Sequence, residues 1–200
     1  MSKFDADDDA AYEAAYEAKI EIFKQAVVND RPRFLRSMVT HHVPDTPPLW
    51  SESYRAGFAL AGPDGQSLGQ VFGYSLKDFK PDYDGDTHWI SPILIRWAGT
   101  DGRVKLFDTK TDGYHGEIGC ASHVRGQGEP TLTLRCSACG SDQFQLRADV
   151  GYWSPTFDLV EDAELDGEPI ESCIDSFGAF RLHATCATCG GSAEVIQDDL

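Results

Sequence analysis

The sequence predicts an α+β, β-rich fold: an N-terminal helical lead-in, a run of antiparallel β-hairpins, and a C-terminal module built on two cysteine turns with a long acidic insertion. Three observations predict it. Near the N-terminus apolar residues recur every three or four positions, the period of one helix face. From Tyr54 the pattern alternates with period two and is punctuated by Gly-Pro-Asp-Gly and Gly-Thr-Asp-Gly turns, as in strands joined by tight reversals. Two Cys-x-x-Cys-Gly turns, Cys136 to Gly140 and Cys186 to Gly190, then close the last third of the chain. With 200 residues and 41% apolar content there is enough chain to bury a core, and composition divides it into residues 1–45, 46–128 and 129–200.

Residues 5–29 read as an amphipathic helix, with Tyr12, Tyr16, Ile20, Phe23 and Val27 on one face and Glu13, Glu17, Glu21 and Lys24 elsewhere. Asp7, Asp8 and Asp9 suit its positive end, and Asn29-Asp30 breaks it. Asp30 with Pro32 predicts a second short helix carrying Leu35, Met38 and Val39 up to Pro44. His41-His42 reads as an exposed polar turn, and the proline-rich 44–48 segment as a linker. Residues 54–61 and 68–76, around the Gly62-Pro63-Asp64-Gly65 turn, predict one hairpin. Residues 88–98 and 103–108 predict a second, with Trp89, Ile93, Ile95 and Trp97 on one face and Pro92 at an edge or bulge. Gly126 to Pro130 is the expected joint before the last region.

The cysteine turns carry the chemistry. Two residues between cysteines let one tight turn present both sulfurs to a single ion, and two such turns supply the four thiolates of a tetrahedral structural zinc site: Cys136, Cys139, Cys186 and Cys189. Gly140 and Gly190 are free to take the positive φ that turns backbone N–H groups toward the sulfurs. Alternating residues at 131–134 and 143–146, and at 180–183 and 193–196, place each turn at the tip of a hairpin. His183, three residues before Cys186, is a reserve ligand. Cys120 and Cys173 remain as buried thiols.

Leu134 to Ser141, with Phe144 downstream, resembles the first knuckle of a zinc ribbon, and Cys186 to Gly190 the second, so the likeness covers about residues 130–198. It implies a zinc-ribbon-like module. The 46 residues at 140–185 exceed the usual spacing of about 15–20, which predicts an insertion looping out between the knuckles. Its part from Asp149 to Gly178 holds nine carboxylates and no Lys or Arg, with Tyr152, Trp153 and Phe157 at its base. Trp153, Glu161, Asp162 and Glu164 are therefore candidate contacts for a basic protein partner, against the alternative of a solvated hairpin whose aromatics are buried.

A formal charge of −16, with 22 Asp, 11 Glu and only seven Lys, opposes direct binding to a nucleic-acid backbone. The N-terminus runs into acid with no apolar leader core, and no run is long enough for a membrane span, which together with metal rather than disulfide use of cysteine predicts a cytoplasmic protein. The function expected is that of a non-catalytic acidic zinc-binding protein acting on a basic partner, as an adaptor or an immunity or antitoxin protein does. One alternative is a factor associated with nucleic-acid machinery through protein contacts, or a phosphate mimic. Another is a metal-dependent hydrolase or deaminase-like enzyme: His115-Gly116-Glu117 upstream of Cys136 and Cys139 resembles the zinc deaminase signature, but Arg135 stands where that signature has proline. Asp82, Asp84 and Asp86 alternate like the start of a calcium loop, whose sixth and twelfth positions here are Thr87 and Ile93.

Overall fold

A computed structural model describes residues 3–44, 46–49, 52–75, 89–112 and 126–199. The leading helix α1 (Lys3–Asp30) turns Ile20, Phe23, Ala26 and Val27 inward, leaving Tyr12 exposed. It ends where Arg31 takes a positive φ of 46° and its N–H still bonds Val27. The expected second helix is cut to a 3-10 turn, Arg33–Leu35, because the chain is drawn into the sheet as strand β1 (Val39–Val43). His41 and His42 thus lie exposed on an edge strand rather than in a turn.

Among the described residues eight more strands join β1 in one antiparallel sheet: β2 (Tyr54–Ala61), β3 (Gly69–Ser75), β4 (Trp89–Trp97), β5 (Val104–Phe107), β6 (Leu132–Thr133), β7 (Phe144–Tyr152), β8 (Ala179–Cys186) and β9 (Ser192–Asp199). Helix α2 (Thr109–Asp112) follows β5, and α3 (Ser154–Leu165) with a 3-10 helix at Ile170–Asp175 joins β7 to β8. The α+β, β-rich expectation holds. Strand β7 is the centre: β8 pairs along one edge from Phe144 to Gly151, while β2 and then the first residue of β3 take the other.

That arrangement corrects the first hairpin. The Gly62–Gln66 turn forms, with Gly62 N–H bonding Gln66 and Gly65 at φ 80°, yet β2 and β3 do not pair. Leu60 opposes Leu146 and Gly69 opposes Phe144, so the chain makes an excursion and continues in the same direction along β7. Strand β7, more than 80 residues downstream, takes the edge that a hairpin partner would have filled. The β4/β5 hairpin forms as expected. Pro92, after a cis peptide bond, sits where the β3/β4 register jumps from Leu94 to Ile90, which is the expected bulge.

The core lies between the sheet and the helices. Alternate residues of β7, namely Phe144, Leu146, Ala148, Val150 and Tyr152, face it with Phe180 and Leu182 of β8. Phe23 of α1 meets the rings of Tyr152 at 5.2 Å and Phe157 of α3 at 6.0 Å, and Phe34 meets Phe180 at 5.1 Å. The C-terminal half of the helical stripe therefore packs into the core, Phe23 against both the sheet and α3, while Tyr12 stays exposed and bonds Glu161 of α3.

The opposite face of β2, β7 and β8 is charged, and the proline-rich segment folds over part of it. Thr46 accepts a hydrogen bond from Arg147 Nη2 at 2.9 Å, and Glu52 lies over Gly151. A Cβ on Gly57 would stand 2.5 Å from Thr46 Oγ1, and one on Gly151 2.5 Å from Glu52 Oε1, so both positions need glycine for this close approach. Beneath the segment Glu52 is held by Arg55 Nε at 2.7 Å and by Arg181, all three side chains being buried.

Candidate metal centre

The metal site follows from the pairing of β7 with β8. One knuckle precedes β7 and the other follows β8, and these strands are antiparallel neighbours with Phe144 opposite Cys186, so their ends carry the two turns together. The 46 intervening residues are no looped-out insertion. They contain two central strands and their helical connection, which is why the spacing exceeds that of a zinc ribbon. The second knuckle caps the β8/β9 hairpin as expected, with Thr185 opposite Ser192. The first does not cap a hairpin, because β6 pairs with β3 through Thr133 and Phe72 instead of with β7.

Locally the two turns are near copies. Gly140 N–H bonds Cys136 O at 2.8 Å and Cys136 N–H bonds Ser141 O at 2.8 Å; Gly190 N–H bonds Cys186 O at 2.9 Å and Cys186 N–H bonds Gly191 O at 2.8 Å. Gly140 and Gly190 sit at φ 75° and 73°, as the sequence predicted. Ala187 N–H crosses to Gln143 O at 2.9 Å and ties the second turn to the first.

Cys136 Sγ lies 3.5 Å from Cys189 Sγ, and Cys139 Sγ lies 3.5 Å from Cys186 Sγ. All four sulfurs lie within 4.8 Å of one another. A tetrahedral ion with sulfur ligands at about 2.3 Å requires S–S separations of about 3.8 Å, and the cluster brackets that value. Backbone N–H groups of Cys139 and Ala138 point at Cys136, lowering its thiol pKa; those of Cys189 and Thr188 point at Cys186, which is pushed down to about 6. Cys139 receives the Ser141 N–H, but the neighbouring thiols and burial outweigh it and raise it to about 12. Cys189, which receives the Gly191 N–H, is likewise raised by Cys136. Four sulfurs at this spacing can all be thiolates only around a cation. The four cysteines form a cluster able to hold a metal ion.

His183 is not a ligand here. Three residues before Cys186 it faces the other side of the sheet, with Nε2 3.2 Å from Asp149 Oδ2. Burial raises the Asp149 carboxyl, but His183 and Arg147 more than offset this and hold it below the usual range. Cys173 is a buried thiol, as expected. Cys120, the His115/Glu117 pair and the Asp82, Asp84 and Asp86 turn lie outside the described residues.

The acidic stretch is ordered around α3, not a hairpin. Phe157, Val160 and Ala163 are buried, Asp158 and Asp162 are exposed, and Glu161 is half-buried, accepting a hydrogen bond from Tyr12 Oη at 2.7 Å. Glu164 lies in the same helix. Trp153 is half-buried, its ring lying where a Cβ on Gly178 would stand 2.8 Å away. What sequence reading missed is the buried Glu52, Arg55 and Arg181 cluster, which joins residues 129 positions apart and leaves no local spacing signal. No helix among the described residues is long and apolar enough to cross a membrane. No protein-family model, curated protein or solved structure matches the chain.

Proposed function

We propose that this is a non-catalytic, acidic zinc-binding protein that acts by binding a basic protein partner, in the manner of an adaptor or an immunity or antitoxin protein. Zinc is the metal that suits four thiolates in two Cys-x-x-Cys turns, and its role is structural, since four sulfurs leave no coordination position for substrate. The partner surface is α3 and the turn after it. One observation carries this reading: Asp158, Asp162 and Asp166, four residues apart, are exposed and make no ion pair among the described residues, and no cation occurs from 149 to 178. Unpaired charge of one sign raises the local concentration of an oppositely charged partner and sets its orientation.

The test is capture from native lysate on the immobilised protein at low and high salt, followed by identification of the bound protein and reconstitution with it in pure form. The expected result is a basic protein, released as salt screens the contact, whose binding falls at least tenfold on reversing Glu161, Asp162 and Glu164 to Lys while metal content stays unchanged. Binding that ignores both salt and the triple reversal would refute this function.

A further inference from the structure

Behind the outer face of α3 lies a cleft of about 340 Å³, between the helix and the 3-10 turn that follows it. Three carboxylates, Asp162, Asp166 and Glu168, line it, and none makes a side-chain hydrogen bond or ion pair among the described residues. Leu159 and Ala163 supply an apolar wall. Ser176, only 4% exposed, lines the same cleft. Its N–H and C=O are taken by Cys173 and Thr156, but its hydroxyl has no partner among the described residues. The residue is buried, but its hydroxyl opens to the cleft, where a ligand donor can take the place of water.

These features do not describe a metal site. Among the described residues only the four cysteines bring their ligand atoms close enough for one ion, so the three carboxylates are spread too widely to share a cation centre. They suit an extended organic cation with several donors and an apolar stem. From this we infer that the cleft receives an arginine side chain of the basic partner. The guanidinium offers five N–H donors in a planar fork, enough to reach separated carboxylates and the Ser176 oxygen together, while its methylenes lie along Leu159 and Ala163. A lysine ammonium, a single point with three donors, satisfies fewer of these groups. The inference rests on the reading of α3 as the partner surface and names the side chain that anchors it.

The experiment uses the full metal-loaded chain and two probes, acetyl-Gly-Arg-Gly-amide and the same peptide with neutral citrulline, followed by amide chemical shifts. The arginine peptide should shift residues 159–176 in a saturable way, and citrulline should not. Ser176→Ala, which removes a hydroxyl bonded to none of the described residues, should weaken the arginine peptide about fivefold. Asp166→Asn should weaken it about tenfold or more. Equal binding of the two peptides, shifts confined to other residues, or full affinity in both variants would overturn the assignment. The two levels separate with the intact partner: if it ignores Ser176→Ala and Asp166→Asn but is lost on reversal at Glu161, Asp162 and Glu164, the cleft fails and the wider surface stands.

Discussion

Glu52 holds two buried arginines, Arg55 and Arg181, beneath the proline-rich segment. Burial alone would raise its carboxyl, but Arg55, the Leu49 N–H and Arg181 outweigh that and hold it below the ordinary range. Removing one member of such a group leaves the others charged and desolvated, so Glu52→Gln should cost about 3–5 kcal/mol in urea denaturation. A loss under 1 kcal/mol would show the cluster to be better hydrated than its burial implies. Asp149, in the same charged layer, gives a pH prediction. Its carboxyl is also depressed, so its stabilisation is fully present above the ordinary carboxylate range and is lost as pH falls through the folded value. The gap in urea midpoint between the native protein and Asp149→Asn should hold from pH 7 to about 5 and shrink below about 4; a gap indifferent to pH would contradict this. At this scale sequence reading reached the four cysteines and the two glycines after them, because Cys-x-x-Cys-Gly is a local geometry. It did not reach Glu52 or Arg181, because their contact exists only after two distant segments meet.

At the scale of elements, α3 separates burial from charge. Phe157 fills the space between the helix and Phe23, so Phe157→Ala should destabilise by about 3–5 kcal/mol, whereas Asp158→Asn, exposed beside it, should stay within about 0.5 kcal/mol. Similar costs for both would mean that α3 is held through its charges. Helix α1 and the β4/β5 hairpin were legible because each is a local pattern with its own stop signals. The β2/β3 hairpin shows the reverse: its turn is genuine, yet β7, a distant strand, takes the edge beside it. Val39 followed the apolar spacing of a helix but joined β1, where pairing with Ala61 satisfies its backbone. Strand β6, similarly, has a partner in β3 that no local turn announces.

Across the whole molecule, a single sheet includes strands from β1 at Val39 to β9 at Asp199, and the two metal-binding turns sit at one end of its central β7/β8 pair. The metal-loaded chain should therefore unfold in urea as one transition, with far-ultraviolet circular dichroism and tryptophan emission coincident. Two resolved transitions would mean that the sheet is divided in solution. A metal bound only by the folded arrangement contributes its binding free energy to folding, so chelation should lower the urea midpoint. Everything at this scale depends on the four sulfurs sharing one ion. The most direct measurement is the metal content of the purified native chain and of the Cys139→Ser, Cys189→Ser double variant by mass spectrometry. The expected result is about one zinc per native chain and none in the variant. A native chain without zinc, or a variant that keeps it, would mean that the four sulfurs do not share a zinc ion.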